Sequence, residues 1–260
     1  MLVVEKPLTN GLLNWAYFLF IKYWPLFFNG IKSTLLIALS STVIGLLIGL
    51  AVGGLRATKI NHTDTPIAKW SKRLLYFITS VYIEVFRGTP MMVQAVFIYY
   101  TFKQTFNWSP LVAGIVIVSI NTGAYMAEIV RAGIQSVPSG QSEAALSLGM
   151  TPLQSMFNII LPQAIRNAFP AIGNEFVVNI KDSCVLNVIS VTEVFFQTSS
   201  VAGTYFKFEA SFLVAAAIYF VLTFTTTRIL GIIEKKLESP DRVVGSQTVP
   251  KAVITKGEQS

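Results

Sequence analysis

One cysteine, Cys184, and one histidine, His62, stand in the 260 residues. A lone cysteine cannot close a disulfide within the chain. One Cys and one His are too few for a metal site built on sulfur and imidazole. A serine protease of the membrane needs a histidine within reach of its nucleophile, and His62 lies in a polar loop. No G-x-x-x-x-G-K-[ST] string occurs, so this chain has no loop of that kind to cradle nucleotide phosphates. No internal repeat is visible, which weakens an inverted-repeat secondary carrier. Charge is scarce as well, at 13% Asp, Glu, Lys and Arg.

What is present is apolar surface: 53% hydrophobic residues and a mean hydropathy of +0.60. That composition belongs to a membrane protein. A helical span needs roughly 20 apolar residues. Residues 33–55, 104–127 and 210–227 carry no charge. Residues 74–102 are apolar apart from Glu84 and Arg87, and residues 164–192 apart from Arg166, Glu175, Lys181 and Asp182. The expectation is an all-α membrane protein of five transmembrane helices, at about 31–55, 74–103, 110–132, 164–192 and 209–233. Residues 1–29 read as an extracytoplasmic, interfacial segment anchored by Trp15, Tyr17, Tyr23 and Trp24. With Lys22 and Pro25 inside it and no small-residue cleavage site after it, this stretch does not read as a signal peptide. The polar segment 238–260 reads as a disordered tail.

The net charge of +7 is not spread as a nucleic-acid surface would be. Of the 20 Lys and Arg, 13 fall in residues 56–73, in the segment after 227, or beside the 139–162 loop at Arg131 and Arg166. With five spans those regions share one side. The positive-inside rule then places the C-terminus in the cytoplasm and the N-terminus outside.

Gly45, Gly49 and Gly53 recur four apart in the first span and form a stripe that lets helices approach closely. The stripe serves either packing within the chain or contact with a second subunit. Residues 74–102 would make a helix of about 44 Å, and Gly88, Thr89 and Pro90 predict a kink or break in it. Glu84 and Arg87 are one turn apart and able to pair. In the fourth span, Glu175 and Asp182 are seven apart and share a face, with Asn179 near it. Intramembrane charges usually face a cavity or each other. A carboxylate pair on one face suits a cationic group such as an α-amine. The alternative is a salt-bridge network in which Lys181 takes one carboxylate.

Residues 143–162 read EAALSLGMTPLQSMFNIILP. Pro138, Ser139, Gly140 and Ser142 supply a break and an N-cap. A short helix to about Leu148 is followed by Gly149 at a left-handed cap. Thr151, Pro152 and Gln154 restart a helix with a capping box. Leu153, Met156, Phe157 and Ile160 then form one apolar face, and Pro162 is expected to end it. The product is a compact knob, fit either to dock in a partner's groove or to lie as an interfacial hairpin.

The spacing of Glu143, Ala144, Ala145, Gly149, Ile159, Leu161 and Pro162 resembles the EAA loop of the membrane subunits of bacterial ABC importers. Over about residues 30–237 the chain is most similar to the polar amino acid permeases. FRGTPMMVQ (86–94) and GNEFVVNIKDS (173–183) resemble their stretches at these places. The resemblance implies the type I importer fold and a cytoplasmic coupling helix at Glu143, Ala144, Ala145, Gly149, Leu161 and Pro162. It implies substrate contacts at Glu175, Asn179, Asp182 and Ser183. A gate or path lining at Glu84, Arg87 and Gln94 follows too, against the plainer reading of an interfacial charge pair. The implied partners are cytoplasmic ATP-binding subunits that carry ATP and Mg, a second permease subunit, and an extracytoplasmic substrate-binding protein. An amino acid substrate and the lipid bilayer complete the set. No cofactor, metal or catalytic residue is expected on this chain. An ion-coupled carrier or channel is the alternative: the intramembrane carboxylates fit it, whereas the knob does not.

Overall fold

The computed structural model describes Pro7 and residues 11–57 and 65–237; within them every regular element is helical. His62 and the expected tail 238–260 lie outside the described residues. In chain order the elements are α1 (Leu12–Ala57), α2 (Pro66–Gly88), α3 (Met91–Phe106), α4 (Pro110–Gln135), α5 (Ser139–Ser147) and α6 (Pro152–Ser155). A π-helical turn (Met156–Ile160) joins α6 to α7 (Leu161–Asp182). A 3-10 segment (Ser183–Ile189) precedes α8 (Val194–Tyr205) and α9 (Phe208–Leu237).

Helix α1 has 46 residues, about 69 Å at 1.5 Å per residue. It is not straight: Tyr23 leaves helical geometry (φ −107°, ψ 16°) two residues before Pro25. Proline removes one backbone hydrogen bond and its ring crowds the carbonyl four residues earlier. No helix end falls at residue 29: the N-terminal stretch continues through a kink into the first span. Trp15, expected as an interface anchor, is only 4% exposed. Phe18, Leu19 and Phe27 are buried with it against Val194, Val201, Ala210 and Val214 of α8 and α9.

The glycine stripe of α1 faces α4. A Cβ on Gly45 would stand 2.8 Å from Thr122 Cγ2, and one on Gly53 3.0 Å from the Ala127 carbonyl oxygen. Of the two readings of the stripe, close approach within the chain is the one observed. Helix α7 packs on both α1 and α4, and also touches α9. A second core forms where Ile37, Ala95, Tyr99, Ile117, Leu186 and Ile189 meet.

By length and composition, α1, α4 and α9 are apolar enough to cross a membrane. A fourth crossing arises if the rod 152–189 and α8, bent by 56°, form one broken span. The stretch expected as a kinked or broken span at 74–103 is α2 and α3, separated at Thr89–Pro90, where the sequence places the break. Helix α8 was not anticipated from the sequence.

Among the described residues, three that are not glycine adopt left-handed backbone: Asn107 (φ 43°), Ser190 (φ 63°) and Phe206 (φ 54°). Asparagine tolerates this region; a bulky residue there is an outlier, strained by roughly 1–2 kcal/mol.

Candidate functional site

The knob is built locally. Helix α5 ends in a Schellman arrangement: Met150 N–H donates to the Ala145 carbonyl at 3.2 Å, and Gly149 N–H to the Leu146 carbonyl at 3.0 Å. Gly149 takes φ +83° at the turn, with open space where a Cβ would stand. Thr151 Oγ1 accepts from Gln154 N–H at 3.3 Å, and Gln154 Oε1 accepts from Thr151 N–H at 2.9 Å. This is the reciprocal capping box of the sequence reading.

Two features of the knob depart from expectation. Pro162 does not end a helix; it sits in the first turn of α7. Leu161 N–H donates to the Met156 carbonyl, five residues back instead of four. Widening that turn draws the preceding carbonyls away from the proline ring, so the rod continues. The apolar face is also divided. Ile160 is buried, and with half-buried Met156 and Ile159 it packs on Val137, Ala164 and Ile134. Leu148, Leu153 and Phe157 are 85%, 70% and 63% exposed. Glu143 and Ala144 are exposed, while Ala145 is buried. The knob is thus tied to the end of α4 on one side and presents bare apolar side chains on the other.

Helix α7 carries the second candidate cluster. Glu175 and Asp182 are half-buried, and no hydrogen bond or ion pair reaches either one among the described residues. Lys181 points outward and is exposed, so the salt bridge weighed for it is not formed. The two carboxylates stand seven residues apart on one face of α7, about 10 Å along its axis. Asn179 and Ser183 are occupied. Asn179 Nδ2 donates to Thr42 Oγ1 at 3.0 Å and its Oδ1 accepts from Thr122 Oγ1 at 3.0 Å. It staples α7 to α1 and α4. Ser183 is fully buried and donates to the Ile180 carbonyl at 2.9 Å.

At the α2–α3 break, Glu84 and Arg87 form no ion pair among the described residues. The Arg87 guanidinium instead lies 5.3 Å from the Tyr125 ring centre. Gln94 is buried. Its Nε2 donates to the Phe86 carbonyl (3.0 Å) and to the Thr89 carbonyl (2.9 Å) and hydroxyl (2.7 Å). Asn121 Nδ2 donates to Gln94 Oε1 at 2.9 Å and to the Phe86 carbonyl at 3.1 Å. Gln94 therefore replaces helix hydrogen bonds lost at Gly88–Pro90.

Two polar groups escaped the sequence reading. Glu193 is fully buried. It caps α8 by accepting from Phe195 and Phe196 N–H at 2.8 Å each, and it accepts from the Tyr219 hydroxyl at 2.6 Å. A carboxylate just before an apolar run was the available signal. Glu128 joins Arg56 (2.8 Å) and Arg131 (2.7 Å), linking α1 to α4. The separation of 72 positions between Arg56 and Glu128 leaves no local signal for that pair.

Residues 65–239 match the family described as binding-protein-dependent transport system inner membrane component. A probable amino-acid permease protein, YxeN, of Bacillus subtilis (strain 168) is 34% identical over 234 residues, covering 88% of this chain and 98% of its own. The L-cystine transport system permease protein TcyB of the same organism is 34% identical over 221 residues, covering 84% and 88%. The glutamine transport system permease protein GlnP of Escherichia coli (strain K12) is 33% identical over 217 residues, covering 82% and 94%. A solved structure described as an amino acid ABC transporter with histidines superimposes with a TM-score of 0.73 at 38% identity, covering 83% of this chain and 96% of that one. The MetNI methionine ABC transporter in an inward-facing conformation has the same fold, with a TM-score of 0.65 at 20% identity.

Proposed function

Because the chain belongs to the family of binding-protein-dependent transport system inner membrane components, we propose that it forms the translocation path of an ATP-driven importer of polar amino acids. It is the non-catalytic transport subunit, and ATP hydrolysis belongs to a separate chain. Counting α2 with α3, and the rod 152–189 with α8, each as one broken crossing beside α1, α4 and α9 gives five crossings; with the basic loops held inside, the N-terminus is then outside and the C-terminus in the cytoplasm. A second permease subunit completes the path, and an extracytoplasmic binding protein delivers the ligand. ATP and Mg sit on cytoplasmic subunits docked at residues 139–162.

The observation that carries this reading is the knob. Its exposed Leu148, Leu153 and Phe157 have no cover among the described residues, yet its other face is fixed to α4 and runs on into α7. A partner pressing on that surface acts on the helix that holds Glu175 and Asp182. Those two carboxylates, without hydrogen-bond or ion-pair partners among the described residues, are the groups offered to the α-amine of the substrate, and Arg87 stays with the gate segment. Asn179 and Ser183 shape that helix and do not touch ligand. Glu84 and Gln94 belong to the α2–α3 break, where Gln94 holds the gate segment in shape. Closure of the ATPases then switches the side from which the path is open.

The test is reconstitution. The chain should co-purify with a nucleotide-binding subunit, and polar amino acids presented by a binding protein should stimulate ATP hydrolysis. Uptake by the purified chain alone, driven by an ion gradient, would make it a secondary carrier instead.

A further inference from the structure

Phe206 is the one bulky aromatic in left-handed backbone among the described residues (φ 54°, ψ 34°), and its ring is 80% exposed. The turn that holds it is not loose. On one side, the Tyr205 ring packs against Trp15 and Phe18 at 5.7 Å and Tyr23 at 6.2 Å. Its hydroxyl accepts from Lys22 Nζ at 2.7 Å. On the other side, the Lys207 ammonium lies 5.1 Å from the Trp15 ring centre. Both flanking residues are therefore tied to α1, and the residue between them is turned outward. The turn joins α8 to α9, at the end of α9 opposite Lys235 and Lys236.

Glycine or asparagine would take this backbone at ease. An aromatic there is held in place by its neighbours, and such over-determined strain gathers at binding and switching segments. Lipid adapts to a ring in any backbone geometry, so a fixed geometry has no value against it. Against a shaped protein pocket, a rigid aromatic arrives already oriented. The ammonium groups of Lys22 and Lys207 nearby favour a partner with acidic groups at the pocket edge.

We propose that Phe206 is a preorganised anchor that seats in an apolar pocket of the extracytoplasmic substrate-binding protein. The proposal rests on the topology and partners given under Proposed function. Its test uses the complete transporter in lipid nanodiscs, with ATPase rate measured against the concentration of ligand-loaded binding protein. Phe206→Gly and Phe206→Asn both keep the left-handed turn and remove the ring. Each should raise the apparent KM for the binding protein about tenfold or more. Basal ATPase rate should stay the same, and the melting temperature should hold or rise. Phe206→Tyr should restore the wild-type KM. A wild-type KM in both ring-less variants overturns the proposal, as does a Tyr variant as weak as they are; in either case the importer reading stands. If no binding protein stimulates the wild-type transporter, the importer reading fails and this proposal fails with it.

Discussion

The seam between α1 and α4 and the knob at 139–162 use glycine and apolar side chains in opposite ways. In the seam, Gly45, Gly49 and Gly53 bring two backbones together, and almost any added atom would collide with α4. In the knob, Gly149 supplies only a backbone angle, and the space beside it is empty. The seam buries its surface within the chain. The knob leaves Leu153 and Phe157 bare while Ile160, on the same rod, is covered. One region is complete by itself; the other, on the proposed reading, is complete only when a partner docks on it. Substitutions in the first should therefore be read as loss of folded protein, and substitutions in the second as loss of coupling with the fold intact.

The sharpest test of the contrast is Gly49→Leu. A Cβ at Gly49 would collide with Met126 Cβ and stand 2.7 Å from the Met126 carbonyl carbon. Overpacking of a tight interface costs about 1–3 kcal/mol or more, and backbone in the way puts this case at the upper end. The amount of folded protein extracted from membranes, followed by size-exclusion profile, should fall about tenfold. At the knob, Gly149→Val should leave that profile unchanged, because the strain of roughly 1 kcal/mol or more falls on an open turn. Uptake should nonetheless be abolished, with the ATPase weakly held or uncoupled. Normal uptake by Gly149→Val would remove the turn from the mechanism.

Next in size is the α7 pair. On the proposed substrate role, Glu175→Gln and Asp182→Asn should each remove a charge-assisted hydrogen bond of about 1.5–3 kcal/mol to the ligand. Apparent affinity in uptake should drop ten- to hundredfold per folded transporter, with basal ATPase unaltered. Unchanged affinity in both would leave these carboxylates without a substrate role. The smallest effect is expected at Asn179→Ala. Hydrogen bonds between helices in a membrane are worth about 0.6–1.7 kcal/mol each, and Asn179 makes two. The melting temperature should fall by a few degrees, while ligand affinity stays the same. A tenfold affinity loss at Asn179→Ala without a lower melting temperature would return it to the ligand site.

What the sequence made legible here was local. The Gly149 turn, the Thr151–Gln154 cap and the break at Gly88–Pro90 are each decided within a few residues, and each stands where the spacing put it. For Asn179, helical spacing gives the face it shares with Glu175 and Asp182 and not what opposes it. Thr42 and Thr122, which occupy it, lie 137 and 57 residues away. Pro162 was read as a terminator because the compensating wide turn has no sequence signature of its own. Helix α8 was missed because its 12 residues (VFFQTSSVAGTY) give neither a clear helical stripe nor a length fit for a span. Its cap, Glu193, is held in place by Tyr219, a partner 26 residues on.

The π turn at Met156–Ile160 has a geometric meaning for the whole rod from Pro152 to Asp182. A turn closed five residues back holds one residue more than an α-turn, so the rod behaves as a helix with a single insertion. One residue is a rotation of about 100° and a rise of about 1.5 Å. The direction in which Leu153 and Phe157 face, measured against Glu175, thus differs from what an uninterrupted helix of the same sequence would give. Were the turn to tighten to the ordinary register, the docking surface would swing by about a quarter of a revolution about the rod axis. The phase between the docking surface and the carboxylates is stored in that one extra residue, next to the proline that makes the wide turn the easier one to keep.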